Sequence, residues 1–520
     1  MFQKSLYHEL KKNAVKHDNK TAILFGNHPI SYKRLLDAIE RLAAALTQLG
    51  VTSGDRFAVL LPNIPQFIIS FFALNKLGVT VVPIPSASDS SIISTIFRTC
   101  NLKGLIALDR LFEQVQAIVS AEHSNMMVIT LGDTVFPNTH NLTSLIANSE
   151  PMSHEHALPS EWTPVIFRTA GTTGQPRAVP LTQQNIAYQL EATRRALGIE
   201  ANSVIFCLLP FSTAFANLAS MLTPLLCGCT LVLFARIELA EVVAAFQSHS
   251  DVVLMASNFM LEEMIQKRKE FSSAPKLLAA VCIDSQMRPD RRFEFQEKFS
   301  APVIQGYGLT EAGPFVSVYG PRYNQKNDSV GFPSFGFQIR IVDSRNQNVD
   351  VNTVGEILIQ SAAVASSYLG SGEAHNASSH TPEGWFQTGD LGKLDELGHL
   401  YVVGRKLDVI VKGGFDIYPN EIKALLSQHP KVKDCAILGV RDDIFGQEIK
   451  ARVVPANGNH LSKEELTAYC RQHLQAYKCP KYFEIVNSLT EKTAAAVAGT
   501  QSSAPASESA PSLNNPSVVS

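Results

Sequence analysis

The chain lacks an excess of charge of either sign. Its 520 residues carry 45 Lys and Arg against 47 Asp and Glu, a net charge of −2, which gives no electrostatic footprint for nucleic acid. Charged residues make up only 18% against 45% hydrophobic, an ordinary balance for a soluble chain that buries a core. Cysteine is sparse: eight in all, scattered, with one close pair at Cys227-Gly228-Cys229. That spacing makes neither a zinc site nor a disulfide framework, and it implies reduced, buried thiols in a cytoplasmic setting. No secretory leader is expected, because Lys4, Lys11, Lys12 and Lys16 interrupt any apolar segment before Asp18. Long hydrophobic runs are missing too. The most apolar windows, Phe67–Pro83 and Leu218–Phe234, contain Asn75 and Lys76, or Gly228 and Thr230, and read as helix-to-strand junctions rather than membrane spans. No internal repeat shows, and the length calls for two or more domains.

What is present is an alternation. Tyr32–Leu49 places Leu35, Leu36, Ile39, Leu42, Ala43 and Leu46 on one helical stripe closed by Gly50. Arg56–Leu61 reads as a buried strand, Ile64–Leu77 as a helix and Val79–Pro83 as another strand. Further strands are expected at Gly104–Ala107, Met127–Leu131, Ser203–Leu208, Thr230–Phe234 and Asp251–Met255. Such a rhythm predicts parallel sheets covered by helices. From Ser329 the texture changes to short strands and turns, and after Arg405 a second α/β pattern begins, with helices at Pro419–His429 and Ser462–Ala476. A boundary is therefore expected near Leu407, giving domains 1–406 and 407–493. The Ala-, Ser- and Pro-rich tail 494–520 has too little apolar surface to order itself.

One stretch carries chemistry on its face. The apolar run Val165–Phe167 leads into Thr169, Gly171, Thr172, Thr173 and Gly174, then Arg177. Two glycines let backbone N–H groups converge on one point, the threonines add hydroxyl donors, and Arg177 adds fixed positive charge. Such a loop suits a polyphosphate, although no Gly-Lys-Ser/Thr follows to make it a Walker loop. Taken alone, it is equally compatible with an ordinary Gly/Thr turn after a strand.

Downstream come Gly306-Tyr307-Gly308-Leu309-Thr310-Glu311, Gly384-Trp385-Phe386-Gln387-Thr388-Gly389-Asp390, Gly404-Arg405-Lys406-Leu407-Asp408, Lys412-Gly413-Gly414 and Tyr418-Pro419-Asn420-Glu421. In order and spacing these motifs resemble the signatures of the adenylate-forming superfamily, over nearly the whole chain from about Leu6 to Leu489. The stretch from Cys470 to Tyr482 is most similar to acyl-CoA synthetases, and Val179-Pro180-Leu181-Thr182-Gln183 to an oxalate-activating branch. The resemblance implies a large N-terminal α/β region with parallel sheets and a distorted β-barrel, followed by a small mobile lid. It also implies an activity: a small-molecule carboxylate joined to ATP as acyl-AMP, then passed to CoA, or to a carrier protein in related ligases. Fatty-acid metabolism is the setting such a likeness suggests. A non-catalytic nucleotide- or acyl-AMP-binding relative is the remaining alternative.

By the same resemblance, Glu311 is the Mg²⁺ ligand, with Thr310 beside it, while Arg177 and Lys492 are the cations this chain offers the reacting centre where the family has lysines. Thr169, Gly171, Thr172, Thr173, Gly174, Tyr307 and Gly308 face the nucleotide, Asp390 and Arg405 its ribose, and Lys412, Gly413 and Gly414 the pantetheine arm of CoA. Plainer readings stand beside these: a helix-capping Thr310 with a first-turn Glu311, and solvated loop charges at Asp390 and Arg405. The chain also departs from the pattern. Ala170, Arg177 and Ala178 replace the usual Ser, Lys and Gly, and Thr213 stands where a His or aromatic often lines the carboxylate site. The stretch Cys282–Met287 lacks the usual glycines, and Leu407 occupies the hinge position. Ala496 or Val497 holds the place of the lysine that reaches the α-phosphate, and Lys492 is the only cation nearby. A preorganised transition-state charge is typically worth on the order of 10²–10³ in rate.

Overall fold

The computed structural model describes residues 5–88, 90–155, 157–169, 177–234, 237–271, 277–282, 287–319, 328–370, 379–412, 415–442, 446–456 and 461–489. The chain divides into two compact units, the second starting at Leu407.

Parallel strands buried on both faces are built from near-continuous apolar runs, and the first unit has two such sheets. A seven-stranded sheet runs Thr139–Asn141, Met127–Leu131, Gly104–Leu108, Arg56–Leu60, Thr80–Pro83, Val165–Thr169 and Arg177–Leu181. All its neighbours are parallel except the last pair. A nine-stranded sheet holds Thr21–Phe25, Thr230–Leu233, Val204–Cys207, Val252–Met255, Leu277–Cys282 and Val303–Leu309 in parallel. Antiparallel strands His28–Ser31 on one side, and Gly313–Val318 then Phe332–Pro333 on the other, close its edges.

Side chains alternate between faces of a strand, so each sheet feeds two cores. Phe57 and Val59, with Ile205 and Cys207, point into one shared core containing the helices Leu6–Lys16, Tyr32–Gln48, Pro65–Lys76 and Gln183–Leu197. Ala58 and Leu60 turn outward against helices Ser90–Cys100 and Asp109–Glu122. Phe206 and Leu208 do the same against helices Leu239–Ser248 and Asn258–Gln266. The result is helices, sheet, helices, sheet, helices. After the strand Val204–Cys207, the run Ala216–Leu222 is π-helical and continues as the helix Thr223–Cys227. Among the described residues, no helix is long and apolar enough to cross a membrane.

The short-strand region forms a four-stranded antiparallel sheet, Gln338–Val342, Gly355–Gln360, Phe386–Leu394 and Leu400–Arg405. Here the expected distorted barrel is corrected: among the described residues no barrel closes. The strand Phe332–Pro333 is only two residues long, and a single bridge, Gly331 to Leu400, ties its neighbourhood to this sheet.

The second unit is a small α/β body. Strands Phe415–Ile417, Ile410–Lys412, Gly446–Pro455 and Val432–Asp442 lie side by side, with Tyr482–Ile485 parallel to Gly446–Pro455. Helices Pro419–Leu426 and Lys463–His473 pack on it around Ile422, Leu426, Leu466 and Cys470. All eight cysteines of the chain are free thiols, six of them buried. The tail expected to be disordered lies outside the described residues, as does Lys492.

Candidate active site

Parallel sheets converge their useful loops at the carboxyl ends of the strands, and the first unit does this twice over. Thr169 ends one strand and Arg177 begins its antiparallel neighbour, directly opposite in register. Thr182 caps the helix that follows, in a reciprocal box with Asn185. The loop between the two strands, with Gly171, Thr172, Thr173 and Gly174, lies outside the described residues.

Glu311 sits where the strand Val303–Leu309 turns back into Gly313–Val318. It is 7% exposed, and its Oε1 accepts a 2.7 Å hydrogen bond from the Tyr368 hydroxyl. Burial pushes the Glu311 carboxyl above its ordinary range, against the pull of the Tyr368 bond and of the Arg177 and Arg405 charges. The Arg177 guanidinium stacks over the Tyr368 ring at 5.1 Å, so cation, phenol and carboxyl form one chain. Burial and the neighbouring carboxylate together push the Tyr368 phenol well up.

Tyr368 has no motif around it, only a run of small residues from Ser361, and the sequence reading missed it. It is held by a strap of chain. Asn185 Nδ2 donates to the carbonyls of Ala362 and Val364, each at 2.9 Å, and Gln189 Nε2 donates to Ala363 at 2.7 Å. The Ala365 amide donates to the Glu311 carbonyl at 2.8 Å, and the Leu369 amide to Ala178 at 2.9 Å.

The second cluster also starts on the strand Val303–Leu309. The buried Tyr307 hydroxyl donates to Asp390 Oδ2 at 2.6 Å. Asp390 pairs across the sheet with Arg405, whose Nε lies 3.4 Å from Oδ1. The carboxylate is thus held by a buried phenol donor and a half-exposed cation. Burial, then the Asp390 charge, raises the Tyr307 phenol well above its usual value, so it stays a donor.

Between the sheet ends lies a cleft of about 570 Å³. Thr169, Gly308 and Thr310 line it, together with Leu209, Ser212, Thr213, Phe215, Ser257 and Pro314. Of these, Phe215, Ser257 and Pro314 were not foreseen; Phe215 and Ser257 each follow a strand end, the one signal available. Gly308 is required by space: a Cβ there would lie well inside contact distance of the main-chain oxygens of Gly313 and Pro314.

Lys412 belongs to the other unit. Its ammonium lies 2.5 Å from Glu448 Oε1, and both side chains are nearly buried. Gly413 and Gly414 are outside the described residues. Among the described residues, no three His, Cys, Asp or Glu side chains gather as a metal cluster.

Residues 10–369 match the AMP-binding enzyme family and residues 421–496 its C-terminal domain, so the chain belongs to that family, within the adenylate-forming superfamily. Its likeness there is to acyl-CoA synthetases, the AMP-forming acid–thiol ligases. It is 28% identical to a probable CoA ligase, CCL9, of Humulus lupulus, covering 92% of each chain. A crotonobetaine/carnitine–CoA ligase of Proteus mirabilis is 26% identical over 91% of this chain and 94% of that one. The ATP-bound structure of MatB from Rhodopseudomonas palustris superposes with a TM-score of 0.86, at 22% identity, over 94% of this chain and 95% of the other.

Proposed function

We propose that the protein activates a small-molecule carboxylate with ATP and transfers the acyl group to CoA. In the first step a carboxylate oxygen attacks the α-phosphorus, the bond to the β-phosphate oxygen breaks, and pyrophosphate leaves with acyl-AMP retained. In the second, the thiol sulfur attacks the acyl carbonyl and AMP departs. The observation that carries this reading is that Glu311–Tyr368–Arg177 and Tyr307–Asp390–Arg405 both stem from one strand end, whose residues Gly308, Leu309 and Thr310 line the cleft.

The roles follow from chemistry. Asp390, fixed by Tyr307, accepts both ribose hydroxyls through charge-assisted bonds, with Arg405 alongside. Arg177 offers a permanent positive charge to phosphate or carboxylate oxygens. Glu311 is the residue that would hold Mg²⁺, because a buried carboxyl whose ionisation is disfavoured gains most from a hard cation. Bound there with ATP oxygens, the ion would neutralise phosphate charge. Thr169, Gly308 and Thr310 border the reacting centre, and Thr172, Thr173 and their glycines would cradle the polyphosphate. The second unit, residues 407–493, would act as the mobile lid, with Gly413 and Gly414 letting its backbone approach the pantetheine arm.

The two half-reactions are unequal on this reading. Adenylation needs positive charge at the α-phosphate, where Ala496 or Val497 stands in place of lysine. Pyrophosphate release from ATP should therefore be slower than CoA thioester formation from synthetic acyl-AMP, and a lysine placed at Ala496 or Val497 should raise only the first rate. Fast adenylation by the unaltered protein overturns this inequality, unless Lys492→Ala abolishes it and reveals a relocated cation. ATP binding with no pyrophosphate release across an acid panel would mark a non-catalytic relative. Release without transfer to CoA would direct the acyl group to a carrier protein.

A further inference from the structure

The segment that holds Tyr368 stitches the Glu311 turn to the strand of Arg177. Towards one end the Ala365 amide donates to the Glu311 carbonyl, and at the other Leu369 bridges to Ala178, the residue after Arg177. Between them, Asn185 and Gln189 hold the carbonyls of Ala362, Ala363 and Val364 from the helix Gln183–Leu197. Main-chain bonds thus tie this segment to both of the elements that Tyr368 touches.

Tyr368 repeats the stitch with its side chain, which is buried. A phenol has one proton to give, and here it goes to Glu311 Oε1. The phenol oxygen accepts in turn from Arg177, whose guanidinium lies over the ring. A carboxyl held at one oxygen is hindered from turning about its last bond, so the direction of its other oxygen is set as well. A flat guanidinium laid on a ring is likewise held in place, where a lysine ammonium would swing on a flexible stem.

We infer, resting on the carboxylate-activating reading, that Tyr368 is a positioning residue of the reaction: one phenol fixes the spacing between the carboxyl that would hold Mg²⁺ and the cation that meets phosphate. Glu311 and Arg177 then stand in settled positions, and neither has to reorganise as pyrophosphate leaves. Tyr368 acts through these two neighbours and not on the reacting atoms.

The test follows Mn²⁺ binding by electron paramagnetic resonance in the presence of α,β-methylene-ATP, which cannot release pyrophosphate. Tyr368→Phe keeps the ring and loses the bond to Glu311. It should weaken Mn²⁺ binding about tenfold, as removing the hydrogen-bond partner of a metal ligand usually does. In a Glu311→Gln background the same change should weaken nothing further, because the two residues act as one unit. Calorimetry without metal should show the analogue's affinity unmoved by Tyr368→Phe. Tyr368→Leu, which also takes the ring from under Arg177, should lower that affinity roughly threefold. Equal weakening in both backgrounds, no weakening, or a Tyr368→Phe variant that does not fold overturns the inference. So does a metal-free affinity that Tyr368→Leu leaves alone or that Tyr368→Phe lowers equally. Glu311→Gln binding Mn²⁺ as tightly as the parent removes the metal role from Glu311 as well, and a parent that binds neither ion nor analogue overturns the activation reading itself.

Discussion

A carboxyl group buried beside a phenol has opposite effects on stability and on chemistry, and Glu311 shows both. Its folded-state pKa lies above the unfolded value, so ionising it costs the fold. No penalty exists below the unfolded pKa, and the penalty grows as pH rises through the folded one. Glu311→Gln should therefore melt higher than the parent at neutral pH, and the two melting curves should converge in acid. The same change should lower Mg²⁺-dependent pyrophosphate release by about 10²-fold or more. A variant that is no more stable at neutral pH, or that turns over normally, would contradict the assignment. Residues of this kind were legible in the sequence when their neighbours formed a motif, as Glu311, Asp390 and Arg405 did. Tyr368 was not, because it lies 57 residues from the carboxyl it serves and nothing local marks it.

At the scale of elements, the turn from Val303–Leu309 into Gly313–Val318 carries most of the geometry. Gly308→Ala would press a methyl group onto two main-chain oxygens that cannot rotate away. A loss of about 1–3 kcal/mol in urea unfolding is expected, together with a rise in KM for ATP. An unaltered urea midpoint would show that the turn can relax. The strands were the easiest elements to foresee, since a strand buried on both faces reads as one apolar run; Met127–Leu131 has the anticipated limits. The helix from Pro419 ends at Leu426, short of the anticipated His429, because chain ends of helices depend on caps rather than on periodicity. The π-helical run Ala216–Leu222 was invisible, as its residues would suit an α-helix equally well. Among the described residues the distorted barrel expected from family likeness does not close, and the strand Phe332–Pro333 is only two residues long.

The whole molecule has two bodies, each with its own core, the smaller built around Ile410, Ile422, Ile449 and Leu466. Calorimetry should accordingly resolve two unfolding transitions, and limited proteolysis should cut near Leu407, an exposed residue, before either body is degraded. One cooperative transition with no early cut would argue against this division. Within the larger body, Tyr307 and Asp390 stand on hydrogen-bonded strands, where a change at either is transmitted to its partner. Leu209, Ser212 and Phe215 instead occupy the connection that follows Val204–Cys207. Natural variation can consequently reshape the cleft through that connection, one substitution at a time, while inheritance keeps the paired phenol and carboxylate unaltered.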